Sequence, residues 1–296
     1  MATIGLIGLG NMGAPMAANL VKAGERVLGF DLVPTLREAA AKDGVEIVTG
    51  ARESVQASEI VITMLPAGEH VRAVWADVLP AARKGALFID CSTIDVASAR
   101  AAHAMAAEHG IASLDAPVSG GVGGAKAATL TFMVGGSTHA FARGKPILER
   151  MGKRIVHCGE AGNGQAAKIC NNMILAASMI AVSEGFVLGE KLGLSHQALF
   201  DVASAASGQC WALTSYCPVP GPVPASPANN GYKPGFAAAL MLKDLKLAKA
   251  AADSVKAKTA IGAHAADIYE HFAQAGHSGD DFSAIINLVR EQSNAH

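Results

Sequence analysis

The sequence predicts an α/β protein in two parts, a doubly wound N-terminal half followed by an all-helical C-terminal half. Three observations predict it. From residue 3 to about 158, short β-branched or aliphatic runs alternate with Ala-rich stretches, the pattern of βα units that build a parallel sheet. After Gly159 the strand pattern stops. A glycine cluster, Gly8-Leu9-Gly10-Asn11-Met12-Gly13, sits where the first strand gives way to the first helix.

The expected strands are 3–7, 26–30, 45–48, 60–64, 86–90, 111–115, 130–134 and 154–157. Helices are expected between them, among them 12–23, 95–109 and 138–151, closed by Gly24, Gly110 and Gly152, since glycine ends helices by accepting positive φ. Gly5 and Gly29 fall inside expected strands, where glycine usually weakens pairing. Gly162-Asn163-Gly164 opens one long helix to about Leu192, and further helices follow at 195–206, 240–254, 259–275 and 281–291. Cys217–Gly235 holds six of the twelve prolines and reads as an extended loop, either a plain linker or a border of the active site. The expected division is residues 1–162 and residues 163–296.

With 296 residues, 51% hydrophobic and 17% charged, the chain can bury a sizeable core and is not disordered. Lys and Arg total 24 against 25 Asp and Glu, so no basic field exists to gather nucleic acid. The five cysteines lack CxxC spacing and the ten histidines are dispersed, which points to neither a disulfide framework nor a metal site. The apolar stretch Met173–Val182 has ten residues, too few for a membrane span, and no targeting pattern opens the chain; a cytoplasmic protein is expected.

A GxGxxG between strand and helix has a mechanical reading. Gly8 permits the tight turn, Gly10 lets backbone approach a pyrophosphate and Gly13 lets the helix pack closely, while free N–H groups of the helix meet the phosphates. The N-terminal domain is therefore expected to be Rossmann-type and to bind a dinucleotide. Asp31 ends the second strand eighteen residues after Gly13, where a carboxylate accepts from ribose hydroxyls and repels a 2′-phosphate; this favours NAD over NADP. The bland reading is that Asp31 caps the turn before Pro34, and Arg37 is close enough to bind a phosphate if Asp31 turns away.

Leu65-Pro66 and Cys91-Ser92-Thr93 follow the ends of expected strands, where ligands of doubly wound sheets gather. Ser119-Gly120-Gly121-Val122-Gly123-Gly124 leaves backbone N–H groups around one hydroxyl, a nest for a carboxylate or phosphate, or else a flexible loop. Lys168 and Asn172 share one face of the long helix. A lysine there works as acid or base only if burial or neighbouring charge lowers its pKa from ~10.4, and no other charge lies between Glu160 and Glu184. Lys243-Asp244 follow an apolar run and read equally as a solvated pair.

Together these motifs resemble the β-hydroxyacid dehydrogenase family, and within it the 3-hydroxyisobutyrate dehydrogenase branch. The likeness runs over Gly8–Gly13, Asp115–Ala125, Gly164–Asn172 and Lys243-Asp244-Leu245, nearly the whole chain. It implies an NAD-dependent dehydrogenase of valine breakdown acting on a small hydroxy-carboxylate, with Lys168 as catalytic acid/base. It implies that Ser119, Gly120 and Gly121 receive the carboxylate, that Asn172 orients the substrate, and that Leu65, Pro66, Thr93 and Lys243 contact the cofactor beside Gly8, Leu9, Gly10, Asn11, Met12, Gly13 and Asp31. Trp211, Phe236 and Met179 are expected in the pocket, with Asp244 among the substrate-binding residues. Two alternatives stand beside this reading: a tartronate semialdehyde or related ω-aldehyde acid reductase, and a non-enzymatic cofactor-binding module on the same scaffold. The nearly charge-free long helix predicts a subunit interface, in a homodimer or homotetramer.

Overall fold

The computed structural model describes residues 1–294. The chain divides into two compact units, Met1–Lys168 and the chain from Ile169 onward. In the first, strands β1 (Thr3–Ile7), β2 (Arg26–Phe30), β3 (Glu46–Ile47), β4 (Ile60–Thr63), β5 (Leu87–Asp90) and β6 (Ala112–Asp115) form one parallel sheet in the order β3-β2-β1-β4-β5-β6. Between and beside them run α1 (Gly13–Lys22), α2 (Pro34–Lys42), α3 (Ala51–Gln56), α4 (Gly68–Val78) and α5 (Val96–Glu108).

Because side chains alternate along a strand, the continuous apolar runs supply both faces of this sheet. Ile4, Leu6, Ile62, Leu87 and Ile89 pack with Met16 and Leu20 of α1, whereas Ile7, Val61 and Phe88 pack with Val71, Trp75 and Val78 of α4 and with Ala99 and Ala102 of α5. Gly5 and Gly29 have a steric explanation. A Cβ on Gly5 would lie 2.4 Å from the Ser54 carbonyl oxygen of α3, and one on Gly29 would lie 2.5 Å from Val45 Cγ1. Close approach of the next layer requires glycine there.

Three expectations change. Not all strands join one parallel sheet: β7 (Val118–Ser119), β8 (Leu130–Val134) and β9 (Gly152–His157) form a separate three-stranded sheet in which β7 runs antiparallel to β8. Ser119–Gly124 is not a flexible loop. Ser119 pairs in β7, and Gly121–Lys126 closes into a short helix, α6, with the Gly124 N–H on the Gly120 carbonyl. Gly152 opens β9 rather than closing a helix, since α7 (Thr138–Leu148) has already ended, whereas Gly24 and Gly110 take the positive φ expected of them.

The second unit is helical. It contains most of α8 (Asn163–Lys191), then α9 (His196–Ala205), α10 (Trp211–Thr214), α11 (Ala238–Ser254), α12 (Ala260–Phe272) and α13 (Ile285–Asn294). Ala176, Met179 and Ile180 of α8 pack with Met241 and Leu245 of α11, Tyr269 of α12 and Ile285 of α13. Met179 is fully buried in this core, so it is a packing residue and not the pocket residue expected. At 29 residues, α8 is long and apolar enough to cross a membrane by length and composition, more than Met173–Val182 alone suggested, and 44% of its apolar window is buried in the protein. The proline-rich stretch is a loop with one 3-10 turn, Pro227–Asn230, held from within by Tyr232 Oη on the Pro218 carbonyl (2.8 Å) and by the Gly221 N–H on Asn229 Oδ1 (2.9 Å).

Candidate active site

Strand order reverses between β1 and β4, and ligands of open α/β sheets bind beyond the strand ends at such a point. The turn from β1 to α1 is as tight as the glycine spacing predicts. Gly8 takes φ +99°, and a Cβ on Gly13 would lie 1.9 Å from the Gly8 carbonyl oxygen. A Cβ on Gly10 would meet nothing within 4 Å. The N-terminus of α1 has no side-chain cap and no acidic residue in its first turn. Its N–H groups, beside the open space over Gly10, fit a dinucleotide pyrophosphate. A crevice of about 370 Å³ runs from Gly10 and Asn11 to Val122 and Lys126.

Asp31 does not turn away. Its Oδ2 accepts the Leu9 N–H at 2.7 Å and its Oδ1 the Val33 N–H at 2.8 Å. It therefore caps the turn and braces the glycine loop at once, with its carboxylate held at the end of β2. Arg37 lies instead over the Phe30 ring, 5.8 Å from its centroid.

Beyond β4 and β5, one buried polar chain joins the two turns. Thr63 Oγ1 and Ser92 Oγ both donate to Asp90 Oδ1, at 2.8 and 2.6 Å, and the Leu65 N–H donates to Ser92 Oγ at 2.8 Å. Trp75 Nε1 donates to Thr63 Oγ1 at 3.2 Å. Asp90 Oδ2 is buried without a hydrogen-bond partner. Burial pushes the Asp90 carboxyl up to about 7, against the lowering effect of the Ser92 and Thr63 hydrogen bonds and with a further rise from the charge of Asp115.

Asp115, at the end of β6, holds the start of α8. Its Oδ1 accepts the Gly162 N–H at 2.8 Å and its Oδ2 the Gln165 N–H at 2.9 Å, while His103 Nε2 lies 2.9 Å from Oδ1. Gln165 Nε2 donates to the Ser92 carbonyl at 2.7 Å and Oε1 accepts the Ile94 N–H at 3.1 Å, so its carboxamide bridges both sides of Thr93. One turn on, Lys168 is only 6% exposed, as the charge-free helix predicted. Asn19 Nδ2 of α1 donates to the Ala125 carbonyl of α6 at 2.6 Å, which places half-buried Ser119, exposed Gly120 and half-buried Gly121 on the segment docked against the glycine-loop helix.

In the second unit, Asn172 Nδ2 donates to Asp244 Oδ2 at 2.5 Å, both side chains buried, so Asp244, which follows Lys243 on α11, does not lie on a solvated face. Trp211, 51% exposed, stacks on Tyr216, Tyr216 on Phe282, and Phe236 meets Phe282 edge-on. Buried Asp281 orders this group: its Oδ2 accepts from Tyr216 Oη (2.9 Å), the Gly235 N–H (2.9 Å) and the Phe236 N–H (3.1 Å), pinning both ends of the proline loop. Asp90, Gln165, Tyr216 and Asp281 were not singled out from sequence. Only Gln165 lay within a motif already recognised, three residues before Lys168.

Residues 3–159 match the family model described as the NAD binding domain of 6-phosphogluconate dehydrogenase, and residues 162–289 the one described as NAD-binding of NADP-dependent 3-hydroxyisobutyrate dehydrogenase. Over 295 residues the chain is 58% identical to the probable 3-hydroxyisobutyrate dehydrogenase of Mycobacterium tuberculosis, covering 100% of each chain. It is 44% identical over 291 residues to the NAD-dependent L-serine dehydrogenase of Pseudomonas aeruginosa, covering 97% of this chain and 98% of that one. A solved structure of Mycobacterium tuberculosis 3-hydroxyisobutyrate dehydrogenase with L-serine matches with a TM-score of 0.96 at 59% identity, covering 98% of this chain and 99% of the other. Full-length identity of this order, on a fold with the dinucleotide loop intact, shows that the chain belongs to the 3-hydroxyisobutyrate dehydrogenase family, as an NAD-dependent dehydrogenase of hydroxyacids.

Proposed function

We propose that this chain oxidises 3-hydroxyisobutyrate to methylmalonate semialdehyde, as a step of valine breakdown, with Lys168 as the acid/base. The observation that carries the mechanism is the burial of Lys168 on α8, one turn beyond the Gln165 bridge to the Thr93 turn. The substrate rests on the relatives' names. The cofactor supplies the hydride acceptor when bound. Gly8–Gly13 and the α1 N-terminus hold its pyrophosphate and Asp31 its adenosine ribose, with Leu65, Pro66, Thr93 and Lys243 along the remainder. Ser119, Gly120 and Gly121 receive the substrate carboxylate and Asn172, paired with Asp244, orients the substrate against Trp211 and Phe236. Neutral Lys168 takes the proton from the hydroxyl oxygen as hydride leaves the carbon that bears it, giving the aldehyde; in reduction its ammonium returns that proton.

A second reading is oxidation of L-serine, favoured by the serine dehydrogenase relative and by the serine complex of the solved structure. Both compounds place a primary alcohol β to a carboxylate and differ in a methyl or ammonium group. NADH formation measured in parallel with 3-hydroxyisobutyrate, L-serine, D-glycerate and 3-hydroxypropionate, offering NAD and NADP separately, decides among them. Efficient oxidation of 3-hydroxyisobutyrate with NAD is expected, and activity confined to serine or glycerate overturns the substrate. Lys168→Ala is expected to lose about 10²–10⁴-fold in kcat while still binding NAD; near-normal turnover refutes the lysine's role. We further propose a cytoplasmic homodimer or homotetramer built on α8, on which Ile174 and Leu188 are more than half exposed. A monomeric mass by light scattering refutes that assembly.

A further inference from the structure

The carboxamide of Gln165 is fully buried, and both of its ends are used on backbone. Asp115 already caps the α8 N-terminus through the Gly162 and Gln165 N–H groups, so the side chain is not needed for that purpose. What it adds is a link across the sheet. It grips the Ser92 carbonyl and the Ile94 N–H, the two backbone groups flanking Thr93, from a position three residues before Lys168 on the same helix. Ser92 extends the link, because its hydroxyl receives the Leu65 N–H and donates to Asp90. Leu65, Thr93 and Lys168 therefore hang on one continuous buried network with Gln165 at its junction. The amide orientation is specified by this geometry, since the reverse assignment would set two donors face to face at Ile94 and two acceptors at Ser92.

We propose that Gln165 is a positioning residue for hydride transfer, holding the Thr93 turn and the first turn of α8 in the one register that aligns Lys168 with the substrate carbon and the cofactor. The inference rests on the roles given to Lys168 and Thr93 above. Misplacement of a reacting group by about 1 Å can cost on the order of 100-fold in rate, so the bridge is worth more to kcat than to affinity.

The test uses Gln165→Met, which keeps the bulk and loses both hydrogen bonds, and Gln165→Glu, which keeps the shape and the acceptor for Ile94. A Glu carboxylate cannot donate to the Ser92 carbonyl, but its protonated form restores donor and acceptor together. Asp90 and Asp115 lie near the position, with His103 behind Asp115 and Lys168 one turn on, and wild type shares all of these neighbours. The quantity read is therefore the ratio of variant to wild-type kcat at each pH. Gln165→Met is expected to lower kcat about 10- to 100-fold with a smaller change in the KM for the hydroxyacid, and to raise the primary isotope effect of substrate deuterated at the carbinol carbon. Gln165→Glu is expected to regain kcat relative to wild type as pH falls. A purely structural glutamine would lower Tm and leave the kcat and isotope effect of the folded enzyme unchanged, and that result overturns the proposal. Should Gln165→Met not fold, the pH-dependent ratio of Gln165→Glu decides alone, a flat ratio near one counting against. If wild type is active and Lys168→Ala is not, unaffected Gln165 variants refute this inference only; if Lys168→Ala keeps its turnover, the underlying assignment fails instead.

Discussion

The buried Asp90 carboxyl makes stability depend on pH in an unusual direction, and Asp90→Asn exposes it. In the unfolded chain this group titrates near 3.8; in the fold burial carries it to about 7. The folded form thus holds the proton more tightly. Above about pH 7 both forms are ionised and the fold bears the whole cost of a desolvated carboxylate, roughly 4 kcal/mol at 1.36 kcal/mol per pKa unit. As pH falls from 7 toward 3.8 the folded state is protonated first, so stability rises by about 1.4 kcal/mol per pH unit and levels off below the unfolded value. Glu46, Glu53, Glu190 and Glu270 act oppositely: hydrogen bonds and ion pairs lower them, and their contribution is lost below about the usual carboxylate range. Between pH of about 7.5 and 5 the Asp90 effect stands clear, worth about 3 kcal/mol. Asn keeps the acceptor for Ser92 and Thr63 and does not titrate. Trp75, hydrogen-bonded to Thr63, reports locally once the other tryptophan is removed by Trp211→Phe. Urea unfolding followed by Trp75 fluorescence should show wild type gaining about 3 kcal/mol on Asp90→Asn as pH is lowered across that window. Parallel stability curves for the two proteins would refute the reasoning.

Two further pairs of changes separate structure from ligand binding. A Cβ on Gly13 would lie 1.9 Å from backbone oxygen, so Gly13→Ala should cost several kcal/mol of stability, read as a lowered Tm, whereas Gly10→Ala, with open space around it, should keep its Tm and lose NAD affinity by fluorescence titration. Asp281→Ala strands the Tyr216 hydroxyl and the Gly235 and Phe236 N–H groups, and should cost about 3 kcal/mol or more in urea unfolding followed by Trp211 fluorescence, with a raised KM for the hydroxyacid; Asp281→Asn, which keeps an acceptor, should lose less.

The central strands β1, β4 and β5 were legible because each is largely apolar and buried nearly along its whole length, and the turn at Gly8–Gly13 because its glycines answer local steric demands within six residues. The same reading failed where local pattern was silent about pairing. Leu130–Val134 and Gly152–His157 look like further members of the main sheet, yet they pair with each other, and Leu130–Val134 with Val118–Ser119, in a sheet of their own. Four glycines between residues 120 and 124 suggested an open loop and hid α6, whose turns are stabilised by docking on α1 through Asn19. Met179 carries the apolar character of either a pocket or a core residue, and packing against α11 and α12 chose the core.

Residue order alone was enough for the βα alternation, the dinucleotide turn, the long helix and the candidate role of Asp31, because each follows from periodicity or spacing over a few residues, whereas the acid/base role of Lys168 was implied by the resemblance to a family. Folding decided which side chains meet. Gln165 reaches Ile94 and Ser92 across 71 and 73 residues, Asp115 reaches the α8 N-terminus across about 50, and Asp281 gathers the two ends of the proline loop from 46 and 65 residues away. Hydrogen bonds of that separation leave no local signature, and burial of Asp90 comes from layers contributed by distant segments. The residues that could perform the chemistry were therefore visible in the chain, while those that hold them in place emerged only once the backbone had closed around them.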